Sequence, residues 1–312
     1  MSQNYRPARS LARWVGTTGV VLMVAAGCVT AGSNAGTSAS PGAPTPTPAA
    51  PTPAPTTPAP TPTGNSSANG FYLRAWQTQA LAPQYTFSWL PIATISNGRY
   101  VDGVVAVPAI YPGPLWVGPS VQPISAAGID ALVAEARKDG LLGTKTDFSG
   151  APMPGSITGH LQLVVDGKTY DLTGSPNAAG QTSASPAPGT PEAFAAFWQR
   201  LTGLGMWLAD DLGPSAPYEP DRLAVLALPP TAATNGVTPN EVPWPLATPF
   251  SKFGTAMGNE TFRCAVVAGA DLALLEPVVK QSNQLTRFVD SVKVKDTLTV
   301  RVMVPGEPNP CQ

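Results

Sequence analysis

Histidine, cysteine and charge are all scarce in this chain of 312 residues, and each shortage removes chemistry. There is one His. A nucleophilic relay needs its imidazole held between a nucleophile and a carboxylate. His160 stands beside Gly159 at the start of an apolar hairpin and reads as a strand-end residue. No Gly-x-Ser-x-Gly elbow, Ser-x-x-Lys pattern or glycine-rich phosphate loop occurs. There are three Cys, with no Cys-x-x-Cys, and no His-Glu-x-x-His or acidic calcium loop. No metal and no cofactor is expected. Asp210-Asp211, with Glu219 and Asp221 nearby, is the densest acidic stretch. Adjacent acids at a helix end point apart, so it reads as solvated.

Charged residues make up 12% of the chain, about half the usual share of about 25%. The net charge is −1. Nucleic-acid binders carry a basic excess or patch, so no nucleic-acid partner is expected.

Proline and glycine are abundant instead, 37 and 30 residues. Arg6, Arg9 and Arg13 precede an apolar run over residues 15–27. A basic segment followed by 7–15 apolar residues has the form of an export signal. A spanning helix needs about 20 such residues. The run ends Ala25-Ala26-Gly27-Cys28. Small residues before a Cys resemble a bacterial lipobox, which would place a lipid on Cys28 and the protein on the outer face of a membrane. Ordinary cleavage after Val29-Thr30-Ala31, giving a secreted chain, also fits. With Cys28 acylated, Cys264 and Cys311 remain as an even pair in an oxidising setting, where they form a disulfide; two free thiols are the alternative.

Residues 1–27 are thus read as the signal and 28–70 as a disordered linker. Ten of the 23 residues over 41–63 are Pro. Proline fixes φ and removes a donor, so the stretch samples polyproline II and spans about 70 Å.

From Phe71 onward, aromatics, β-branched residues and turn signals recur. Residues 71–76 and 87–90 read as strands, and 92–95 as another, closed by Asn97-Gly98. Ser125 caps a helix whose Ile129, Leu132, Val133 and Ala136 share one face and whose stop is Gly140. Residues 161–172 form a hairpin about Asp166-Gly167. Thr190-Pro191-Glu192 opens a second helix carrying Phe194, Phe197, Trp198 and Leu201. Residues 223–228 read as an interior strand, 262–267 as a strand, 271–282 as a helix kinked or shortened by Pro277, and 297–304 as a strand. The fold class is α+β, antiparallel sheets with a few packed helices. The element order repeats, which divides the body into modules at 71–214 and 215–312; one α+β domain with a coincidental order fits equally.

The segment Tyr111-Pro112-Gly113-Pro114-Leu115-Trp116 is the candidate binding loop. Pro112-Gly113 suits a type II turn, glycine at positive φ, with Tyr111 and Trp116 flanking a stiff loop. Rigid aromatics bind at low entropic cost. The other reading is that the rings fold back over the sheet, and Val242-Pro243-Trp244-Pro245 carries the same two readings.

Ala26-Gly27-Cys28, the Pro/Thr stalk, Ala109-Ile110-Tyr111-Pro112-Gly113-Pro114 and Pro308-Asn309-Pro310-Cys311 together resemble the exported lipoproteins of high-GC, actinobacteria-like bacteria. The resemblance covers most of residues 71–312, implies an anchored envelope protein and brings no activity with it. The strand, helix and hairpin order is also similar to that of small proteinase inhibitors. The expectation is a non-catalytic binding or interaction module meeting an envelope ligand or protein. A secreted hydrolase using paired carboxylates, or a proteinase-inhibitor-like protein, is the alternative.

Overall fold

In a computed structural model the described residues are 70–105, 109–150, 155–178, 186–230, 236–257 and 261–312. The signal, Cys28 and the Pro/Thr-rich stretch lie outside them. The elements, in order, are β1 (Tyr72–Thr78), α1 (Pro83–Thr86), β2 (Ala93–Ser96), β3 (Arg99–Asp102), β4 (Ser120–Pro123), α2 (Ala126–Lys138), β5 (Asp147–Phe148), β6 (Thr158–Val165), β7 (Lys168–Gly174), α3 (Pro191–Thr202), α4 (Leu204–Trp207) and β8 (Ala216–Pro217). Then come β9 (Arg222–Leu228), β10 (Glu241–Pro243), β11 (Thr255–Met257), β12 (Phe262–Ala268), α5 (Gly269–Lys280), β13 (Arg287–Val289) and β14 (Lys295–Val302). The fold is mixed α+β, as the sequence pattern implies. Among the described residues no helix is long and apolar enough to cross a membrane.

The strands form two sheets, ordered β5-β7-β6-β1-β2-β3-β4-β8 and β10-β13-β14-β9-β12-β11. Pairing is antiparallel except for β5 with β7 and β10 with β13. In the first sheet, alternation along β1 sends Leu73 and Ala75 to one face and Arg74, Trp76 and Thr78 to the other. The apolar face continues through Ile95, Leu161, Leu163 and Leu172 and is covered by Ile129 and Leu132 of α2 and the aromatics of α3. The hairpin of β6 and β7 sets Leu163 opposite Tyr170 and Leu161 opposite Leu172. Asp166 and Gly167 both take positive φ, as a type I′ turn requires.

Gly159 and Gly174 pair across this hairpin. A Cβ on Gly174 would stand 2.5 Å from the Phe194 ring, and one on Gly159 2.9 Å from Trp198. The paired glycines form the notch into which α3 drops its rings.

In the second sheet β9 is central, and both its faces are covered, which explains its unbroken apolar run. Leu223, Val225 and Ala227 pack with Leu298, Val300, Leu275 and the rings of Trp244, Phe250 and Phe288. Ala224 and Leu226 face the other way, against Phe87 and Met303. Two local expectations differ. Residues 87–90 form no strand; the chain makes the short α1 and then a loop, which carries Phe87 onto β9. Helix α5 begins at Gly269 and runs through Pro277 to Lys280. Trp244 folds into the core, its indole N–H donating to the Thr248 carbonyl at 2.9 Å.

Candidate functional site

The polar face of β1 is crossed by the segment that follows β14. Gly306 adopts a left-handed φ of 73° and turns the chain back on itself. Glu307 thereby reaches β14: its Oε2 accepts from the Val304 amide at 3.2 Å, and its Oε1 meets Arg301 Nη1 at 2.5 Å. Arg301 Nη1 also donates to the Trp89 carbonyl at 3.1 Å. The segment is fixed to β1 as well. Tyr72 donates to the Pro305 carbonyl at 3.1 Å, and Arg74 Nη1 lies 3.4 Å from the Gly306 carbonyl. Burial raises the Tyr72 hydroxyl above its ordinary pKa, keeping it a donor. Beyond Pro308 and Pro310, Cys311 is joined to Cys264 of β12, the disulfide the cysteine count anticipates.

Between β1, the loop after α1, β14 and this returning segment lies a cleft of about 330 Å³. That volume falls in the range of ligand pockets, about 300–1,000 Å³. Arg74, Trp76, Trp89, Arg301 and Glu307 line it, with Pro308 and Pro310 from the segment. The Arg74 guanidinium lies over the Trp76 ring, 4.1 Å from its centroid. The imidazole of His160 stacks on the same indole and shares a hydrogen bond of 2.8 Å with the Thr78 hydroxyl. Desolvation, aided by the positive field of Arg74, holds the His160 pKa below its usual value, which favours the neutral ring.

The charges in the cleft do not balance. Arg301 is neutralised by Glu307, but among the described residues no carboxylate pairs with Arg74, which is only 7% exposed. The Nε–H groups of Arg74 and Arg301 are both buried without a partner. Buried polar groups are nearly always bonded, so two orphan donors on one cleft need an explanation.

Several acids elsewhere are committed to the fold. Asp290 accepts from the amides of Phe250, Val292 and Val294. Asp296 beside it has a raised pKa, from desolvation first and then the charge of Asp290. Glu135 and Asp139 share Arg200. Asp211 takes the Ser125 hydroxyl at 2.6 Å. Among the described residues no three His, Cys, Asp or Glu gather as a metal site.

The Tyr111–Trp116 loop lies elsewhere. Gly113 is outside the left-handed region, so the turn is not type II. Its backbone is clamped to the turn after α5, Leu115 N–H donating to the Ser282 carbonyl at 2.9 Å and Gln284 N–H to that of Gly113 at 3.0 Å. Tyr111 is about half exposed, whereas Trp116 lies partly buried beneath the Lys280 ammonium. Neither lines the cleft. Arg74 and Glu307 are the residues sequence reading passes over. The available signal was a lone Arg at the centre of an aromatic strand in a chain so short of charge.

No protein-family model, curated protein or solved structure matches the chain.

Proposed function

We propose that this protein is a non-catalytic binding module of the cell envelope, anchored through lipid on Cys28 and held outward by its Pro/Thr-rich stretch, with the inter-sheet cleft as its binding site. One observation carries the reading: Arg74 is buried without a counter-charge among the described residues. Taking a cation out of water costs several kcal/mol unless something pairs with it. Its cation–π contact with Trp76 offsets about 0.5–2 kcal/mol of that. A bound anion supplies the remainder.

A hydrolase with two working carboxylates finds little support in the cleft, because among the described residues Glu307 is the one acid that lines it and is locked to Arg301. The test is native mass spectrometry of the full chain taken from cell envelopes, with tandem sequencing of its N-terminus. The expected result is a diacylated Cys28 and a small anion released on unfolding, absent from an Arg74→Gln variant. A mature chain starting at Gly32 removes the anchor. Turnover of a substrate abolished by a single acid-to-amide change removes the binding reading.

A further inference from the structure

We propose that the ligand of this cleft is a small monocarboxylate with a flat, aromatic body. The proposal rests on the cleft being the binding site, and it follows from charge, donor geometry and lining.

Charge comes first. The Arg301–Glu307 pair is neutral and Arg74 is not, so a single negative charge completes the site, and a dianion would overshoot.

Donor geometry comes second. Both guanidinium groups spend Nη1 on the protein: that of Arg74 on the Gly306 carbonyl, that of Arg301 on Glu307 and Trp89. Both leave Nε–H without a partner. Each Nε is shut off from any water-sized neighbour, which leaves Nη2 as the Arg74 nitrogen that can meet a carboxylate oxygen.

The lining comes third. Apart from these charges the aromatic and apolar side chains include Trp76, Phe87, Trp89 and Leu90, with Gln77, Thr78, Gln79 and Thr86 as the polar part of the lining. Phe87 is held against Met303 and β9, and Trp76 against His160. These walls are rigid and flat, and a ring loses little freedom on entering them. The volume of about 330 Å³ suits one small molecule.

The experiment is an NMR titration of the full chain with four probes: benzoate, benzamide, benzylamine and phenyl phosphate. The arginine Nε–H signal of Arg74 and the indole signal of Trp76 report on the cleft. Benzoate is expected to move both, and to bind about tenfold or more tightly than benzamide. Arg74→Gln should abolish that preference while benzamide binds as before, which also shows that the variant is folded. Arg74→Lys keeps the charge but replaces the planar guanidinium with a compact ammonium on a flexible stem, and benzoate should weaken there too. Glu307→Gln adds one positive charge and should shift preference from benzoate towards phenyl phosphate.

Benzamide or benzylamine moving the same signals at equal affinity overturns the carboxylate while the cleft reading stands. Phenyl phosphate binding the native chain more tightly than benzoate overturns the single charge. Benzoate binding that survives Arg74→Gln overturns the role of Arg74. Four probes that leave both signals unmoved overturn the aromatic ligand class, while the anion released from the full chain still decides the cleft.

Discussion

The imidazole of His160 lies flat against the indole of Trp76, ring centres 5.1 Å apart and planes 12° from parallel. The two are directly opposed across β1 and β6. Thr78, two residues further along β1, holds the same imidazole through its hydroxyl. The one histidine of the chain is therefore a prop for a wall of the cleft, and its neutral form is what fits between an indole and a hydroxyl.

That neutrality has a pH signature. A folded-state pKa below the unfolded value means that the unfolded chain takes up the proton first. The His160 contribution to stability is full above about pH 6.5, the unfolded value, and is lost as pH falls through the folded one. Urea unfolding from pH 8 to 5 should show native stability dropping against a His160→Phe variant only below about pH 7. Parallel curves would remove this role.

Arg301 and Glu307 form a buried pair, 10% and 7% exposed. Glu307→Ala strands the guanidinium and should cost about 3–5 kcal/mol. An Arg301→Met, Glu307→Leu double variant should recover much of that loss, because no unpaired charge is left behind. Thermal unfolding of both variants checks this. A double variant no better than the single one contradicts it.

The Cys264–Cys311 bond closes a loop with a sequence separation of 47. Its loss should cost about 3–4 kcal/mol by the chain-entropy account. It should also release Pro308 and Pro310 from the cleft, so a Cys264→Ser, Cys311→Ser variant is expected to lose probe binding at temperatures where it remains folded by circular dichroism. Unchanged binding in that variant would show that the returning segment is held without the bond.

Ser125 caps α2 by accepting from the Gly128 amide at 3.0 Å, while its hydroxyl donates to Asp211. Ser125→Ala should cost about 1 kcal/mol. Asp is ordinarily as good a cap as Ser, but here its carboxylate would face that of Asp211. Ser125→Asp should therefore be no more stable than Ser125→Ala, a comparison that chemical denaturation decides.

What could be read from the chain was local. Ser125, Gly140, Asp166-Gly167 and Thr190-Pro191 each specify a cap or turn within a few residues, and each stands as expected. The run over 223–228 was legible as an interior strand because both faces are apolar. Residues 87–90 read as a strand because Phe87, Trp89 and Leu90 are of the aromatic and apolar types that strands favour. The burial of Phe87 and Leu90 comes from β9 and β14 of the other sheet, not from strand neighbours. The cleft was illegible for the same kind of reason. Arg74 meets the Gly306 carbonyl across 232 positions, and no local pattern reports that distance. The aromatic loop at 111–116 stands out in the sequence because its unusual residues are contiguous.

The returning segment also imposes an order of events. Arg74 leaves the ribosome more than 200 residues before Glu307, so the cavity has no existence during most of synthesis. The cleft forms only when both ends of the body are present together.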